Sequence, residues 1–158
     1  MLRRITAVLA SVAGAIAVCA SPASASDTVG WQPVNTNSNW HCTDYEPHNA
    51  YQGVWGGVNF KTCIIMSNVS GSKTQAVLVV QNKANQDVYI EKGRVVFMSS
   101  SGGDVWCKAS NLAAGATAGC YAPTVYSTQC QFTTNAISYL TLLGRTDSVT
   151  NPGWEAPC

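Results

Sequence analysis

The chain has little charge to work with. Of its 158 residues, nine are Lys or Arg, eight are Asp or Glu, and only two are His. No basic cluster, Arg-rich strand or run of like charge occurs, which argues against a nucleic-acid-binding surface. No two cysteines are spaced Cys-x-x-Cys, so zinc-ribbon and thioredoxin-like chemistry lack their signature. No Gly-x-Ser-x-Gly elbow is present, which removes the usual hydrolase nucleophile turn. A Ser-His-Asp triad would have to take its base from His41 or His48. Ser70-Gly71-Ser72-Lys73 fits S-x-x-K, but the S-D-N and K-T-G elements that accompany that nucleophile are missing. Internal repeats and low-complexity tracts are absent too.

The one long uncharged run lies at the start. Arg3 and Arg4 precede Ile5 to Ala20, which is mostly Ala, Val, Ile and Leu, and Ala23-Ser24-Ala25 follows with small residues. This order predicts a secretory signal peptide over 1–25, cleaved after Ala25. The run is short for a membrane anchor, which needs about 20 apolar residues. The expected product is secreted, extracellular and free of the membrane. Its eight acidic residues then exceed the basic ones by about one.

Cysteine is plentiful once the leader is set aside. Cys42, Cys63, Cys107, Cys120, Cys130 and Cys158 remain, an even set in an exported chain, and this predicts disulfides. Spacing leaves many pairings open. Closure of the shortest loops favours Cys42–Cys63, Cys107–Cys120 and Cys130–Cys158.

The body shows a period of two. Val58, Phe60, Thr62, Ile64 and Met66 alternate with Asn59, Lys61, Cys63 and Ile65. "QAVLVVQN" is a short β-branched run bounded by turn residues, which suits a central strand. "VYIEKGRVVFMS" reads as one strand broken near Gly93, or as two. "NLAAGATAGCYAP" holds a Leu-x-x-Gly-x-Thr turn common in immunoglobulin-like domains. "TTNAISYLTLLG" has apolar residues on both faces and reads as a buried strand, with a helix capped by Gly144 as the alternative. The tail "NPGWEAPC" shows no period. About seven short strands predict an all-β fold, a disulfide-stabilised antiparallel β-sandwich of immunoglobulin-like type. The expected division is a polar arm over 26–39 and a sandwich over 40–158. Core candidates are Ile64, Val77, Val79, Ile90, Val96, Trp106, Leu140 and Leu142.

Both histidines fall in one stretch, "NWHCTDYEPH". His41, Asp44, Glu46 and His48 have the chemistry of zinc ligands. Their spacing shares no helix face, and a strand would split them between its two sides. The favoured reading is a polar loop pinned by a disulfide, with no metal, no cofactor and no catalytic residue assigned. Tryptophan supplies the other signal. Trp31, Trp40, Trp55 and Trp154 sit in the predicted arm and loops, where aromatics can anchor a protein partner or stack on sugars.

The export signal, the "WQPVNTNSNWHC" start and the six-cysteine body resemble small secreted actinobacterial proteins. Among these, the chain resembles the small adaptor subunit of umbrella toxin particles, secreted antibacterial assemblies. The resemblance implies that the arm docks into one secreted protein while sandwich edges or loops engage another. The expected function is therefore a non-catalytic protein–protein adaptor. A carbohydrate-binding module and a secreted protease inhibitor acting through "CYAPT" are the alternatives.

Overall fold

The computed structural model describes residues 27–52, 57–67, 73–98, 103–126 and 133–155. The signal-peptide segment, the S-x-x-K serines, Trp55, Cys130 and Cys158 lie outside them. Side chains are not described at Thr133, Trp154 and Glu155.

The described chain is almost entirely strand. In order, the strands are β1 (Asp27–Val29), β2 (Trp40–Cys42), β3 (Glu46–Pro47), β4 (Val58–Met66), β5 (Lys73–Asn82), β6 (Val88–Ile90), β7 (Lys92–Met98), β8 (Val105–Cys107), β9 (Ser110–Leu112), β10 (Thr117–Tyr121), β11 (Val125–Tyr126), β12 (Thr133–Leu142) and β13 (Arg145–Glu155). One 3-10 turn spans Asn49–Tyr51. The first sheet runs β1-β8-β7-β12-β13. The second runs β10-β5-β4-β2, with β11 joined to β5 and β3 to β4. A small β6–β9 pair stands apart. Every pairing is antiparallel except β1 with β8.

The two main sheets face one another across a single large core. β4 points Val58, Phe60, Ile64 and Met66 inward, as its alternation predicts, and β5 meets them with Ala76, Leu78 and Val80. The opposite sheet contributes Val95, Phe97, Val105, Cys107, Ala136, Leu140, Leu142 and Val149. The expected sandwich is present. "TTNAISYLTLLG" is the strand β12, central in its sheet, and not a helix.

Two disulfides have different jobs. Cys42–Cys63 joins directly opposed residues of β2 and β4. Cys107–Cys120 ties β8 of one sheet to β10 of the other through the core. Both pairs match the short-loop expectation. The proposed third pair falls outside the described residues. Gly93 lies against the inter-sheet bridge: a Cβ there would stand 2.9 Å from Cys107 Cβ and Sγ, and 3.1 Å from Leu78 Cδ2. The glycine of "EKGR" therefore serves close approach, and the strand break falls beside it, at Glu91.

Three expectations change. Val77 and Val79 are buried, but on the outer side of their sheet. There they form a second cluster with Cys63, roofed by Val34, Trp40, Cys42, Tyr45, Ile65 and Tyr121. Val96 points outward, because Val95 and Phe97 take the core side of β7. The tail is not irregular: Asn151–Glu155 completes the long strand β13.

The arm over 27–39 lies along the body. β1 adds to the first sheet beside β8. Trp31 Nε1 then donates to Lys108 O at 2.7 Å, and its ring packs on the main core. Gln32 exchanges two backbone hydrogen bonds with Gly119 of β10, at 2.9 Å each. Tyr121 Oη donates to Pro33 O at 3.0 Å. The segment so crosses the open side of the sandwich from one sheet to the other. Gly119 makes room for the crossing, since a Cβ there would meet Val34 and the Tyr121 ring at 2.8–3.2 Å.

Candidate binding face

The outer side of the β1-β8-β7-β12-β13 sheet carries no strand over it among the described residues. Register fixes what that side displays. Thr28 pairs with Trp106, Trp106 with Arg94, Arg94 with Tyr139, and Tyr139 with Ser148. These residues form one row across all five strands. Cys107 and Val105 point into the core, so Trp106 between them must point out. The expectation that Trp106 is core is corrected by that parity: its ring is half-exposed.

Two cations stand on the indole. Lys92 Nζ lies 4.0 Å from the ring centroid and Arg94 Cζ 4.9 Å. Each such contact stabilises by about 0.5–1 kcal/mol at an exposed site. Arg94 Nη2 also forms an ion pair with Asp104. Its Nε is buried and has no hydrogen-bond partner among the described residues. A donor left in that state costs about 1–3 kcal/mol, so the guanidinium is not fully satisfied among the described residues.

On one side of the row, Lys92, Thr141 and Thr146 align. Thr141 Oγ1 and Thr146 Oγ1 are 2.8 Å apart, a hydroxyl pair. Lys92, Gly93, Arg94, Trp106, Tyr139, Thr141 and Thr146 enclose a groove of about 210 Å³. On the other side, Val96 pairs with Ile137 and Met98 with Asn135. Met98 is 52% exposed. The face thus grades from a cationic, hydroxyl-lined groove to an aliphatic strip.

Of the tryptophans expected to bind partners, Trp55 and the Trp154 side chain lie outside the described residues. Trp31 is half-buried and bonded to the body, as described above. Trp40 is half-buried in the second cluster, edge-on to Tyr121 with centroids 6.0 Å apart. Trp154 stands opposite Thr134 in the β12–β13 register. Beside Trp40, Lys61 Nζ stands 4.4 Å from the Tyr45 centroid. Burial lowers the Lys61 pKa from the ordinary lysine value, against a smaller upward pull from Asp44.

"NWHCTDYEPH" is dispersed by the fold. His41 lies in β2, while Asp44 and Glu46 are exposed. Among the described residues, no group of three or more His, Cys, Asp or Glu could hold a metal. His48 is fully buried against Phe60. Its Nδ1 accepts from Ala50 N–H at 3.1 Å, which caps the 3-10 turn, so the ring hydrogen sits on Nε2 and is donated to Leu140 O at 3.0 Å. Asp147 Oδ2 lies 3.4 Å from Nδ1. A His beside an Asp suggests general-base chemistry. Here both ring nitrogens are taken by backbone, and the pair fastens the 3-10 turn to the β12–β13 hairpin.

Asp147 completes that fastening. Its carboxylate accepts from Asn49 N–H at 2.6 Å and Asn49 Nδ2 at 2.8 Å. Burial pushes the carboxyl pKa up, but the Asn49 hydrogen bonds and the charge of Arg145 oppose it, and the group is held below the ordinary aspartate value. A folded pKa below the unfolded one means stabilisation by the ionised form. That contribution is complete above the unfolded value of about 3.9. It is lost as pH falls through the lower folded value. Urea titrations from pH 7 to pH 2 should show this loss in the native chain, and Asp147→Asn should flatten that part of the profile. An unchanged acid limb in the variant would remove the assignment. Compared with known protein families, curated proteins and solved structures, the chain matches none.

Proposed function

We propose that this chain is an exported, non-catalytic binding module that joins proteins in an extracellular assembly. Its contact surface is the outer face of the β1-β8-β7-β12-β13 sheet. One observation carries the reading: the Trp106–Arg94–Tyr139 row lies on a sheet face that no described strand covers and continues into Val96, Ile137 and Met98. Trp, Tyr, Arg and Met are the residues enriched where proteins meet. A five-stranded sheet tied to the core also holds them rigidly, which lowers the entropic cost of binding. The two disulfides suit an extracellular setting. Following the resemblance to umbrella toxin adaptors, the assembly proposed is an antibacterial toxin particle.

The contact differs from the one the sequence suggests. Trp31 and the arm are engaged by their own sandwich, and Trp40 roofs the second cluster, so among the described side chains the load falls on Trp106 and Tyr139. In "CYAPT", the segment of the inhibitor reading, Ala122 is buried and its N–H donates to Ala76 O, while Pro123 and Thr124 are exposed. Affinity purification from the culture medium of the producing cell tests the proposal. The native chain should recover a partner. Trp106→Ala should reduce recovery roughly 30-fold, the effect of losing a hot spot of about 2 kcal/mol. Full retention by Trp106→Ala and Tyr139→Ala would defeat it.

A further inference from the structure

We propose that the groove beside Trp106 is a subsite for one acidic sugar residue, a uronate, bound through its carboxylate and its hydroxyls. This rests on the outer sheet face being a contact surface, and it names a ligand which that reading leaves open.

Charge comes first. Lys92 and Arg94 both line the groove. Asp104 offsets Arg94 through Nη2, while Arg94 Nε keeps no partner among the described residues. The ion pair among those residues is Arg94–Asp104, and neither it nor the His48–Asp147 contact includes Lys92. The groove so holds one positive charge, that of Lys92, which no ion pair among the described residues offsets, while the unpartnered Arg94 Nε is buried beneath it. A single carboxylate answers that charge, because a charge-assisted hydrogen bond to an ammonium is stronger than a neutral one.

Shape comes next. About 210 Å³ is below the roughly 300 Å³ at which pockets for drug-sized ligands begin. One ring fits that scale, and a folded element does not. The Trp106 indole and the Tyr139 phenol form its aromatic walls. Aromatic walls suit the C–H faces of a sugar ring, which are apolar. Lys92 Nζ stands over the indole at 4.0 Å and Arg94 Cζ at 4.9 Å, so the carboxylate is met above the indole and the Tyr139 phenol is the wall left to the sugar ring.

The hydroxyl pair decides between a sugar and a bare acid. Thr141 Oγ1 and Thr146 Oγ1 stand 2.8 Å apart on adjacent strands. Each hydroxyl both donates and accepts, which is the pattern that sugar hydroxyls need. An ionised acidic side chain can accept from them but has nothing to donate. The groove is also fixed in shape, because Gly93 in its floor rests on the Cys107–Cys120 bridge.

Isothermal titration of the full processed chain provides the test. The probes are trisaccharides of galacturonate, glucuronate and mannuronate, a neutral glucose trisaccharide, and pentaglutamate. At least one uronate should bind. The neutral sugar and pentaglutamate should bind roughly tenfold more weakly or not at all, as expected when a site's polar groups are left unpaired. Lys92→Gln and Thr141→Val should each weaken the uronate by roughly tenfold. Both are surface changes whose folding is checked by circular dichroism. Absence of uronate binding at about 1 mM, equal binding of pentaglutamate or of the neutral sugar, or indifference to Lys92→Gln would each overturn the proposal. The protein contact is scored separately. If Trp106→Ala abolishes recovery of the partner while no uronate binds, the subsite falls and the adaptor face stands. If uronate binds while Trp106→Ala retains the partner, the reverse holds.

Discussion

Replacing Cys107 and Cys120 together by Ala should lower stability by about 3–4 kcal/mol and the melting temperature by roughly 10–15 °C. The sequence separation is 13. Chain entropy alone puts such a loop near 3 kcal/mol. The remainder comes from packing, since both cysteines are buried in the main core and two sulfurs leave a void beside Gly93 and Leu78. The Cys42–Cys63 bridge gives the control. Its separation is larger, 21, so entropy alone would make it the costlier loss. Yet it lies on the outer side of its sheet, where the β2–β4 ladder still holds the register. Urea unfolding of the two double variants should rank the inter-sheet pair as costlier. The opposite ranking would show that packing around Gly93 contributes little.

Asn82→Leu should cost about 3 kcal/mol, although it swaps a polar buried residue for an apolar one. Asn82 is fully buried, and its amide is a small junction. Nδ2 donates to Gln86 O, Leu112 O and Ala113 O at 2.9–3.1 Å, and Oδ1 accepts from Ala84 N–H at 3.0 Å. One side chain so fixes the 83–87 turn against the turn after β9. Leucine strands three carbonyls and one N–H, and water can reach only the more exposed of them. Asn82→Asp keeps the shape but turns a donor toward three acceptors into another acceptor. Its carboxyl pKa should rise in the folded state, so this variant should gain stability as pH falls from 7 toward 4. Asn82→Leu should show no such gain. Denaturant midpoints at the two pH values distinguish them, and equal pH responses would remove the junction argument.

The strands were legible where a single face is buried. β4 alternates cleanly, so its core side reads directly from Val58 to Met66. β5 has two covered faces, and a continuous run such as "AVLVV" does not say which side meets which cluster. Trp106 is more instructive. A large aromatic beside a cysteine looks like core material, and hydrophobicity alone puts it there. Yet neighbours on a strand point to opposite faces. If Cys107 bridges the sheets, it must point inward and Trp106 outward. The signal was available once the pairing was fixed. The same parity governs Val96 between Val95 and Phe97. His48 and Asp147, 99 positions apart, could not be paired from the sequence, because only the strand order brings the 3-10 turn beside the β12–β13 hairpin. The arm was hidden by its composition: polar, Asn-rich segments are usually solvated, and here backbone hydrogen bonds and two anchored side chains do what apolar area does elsewhere.

The crossing segment has a consequence for how the molecule is made. Its partners, Val105–Cys107 and Gly119, are synthesised some 80–90 residues after it. During synthesis this early segment thus waits for partners made much later, since distant pairings close slowly. Until then the flank between the layers stays unsealed, and a nascent molecule can accept the corresponding segment of a neighbour in place of its own.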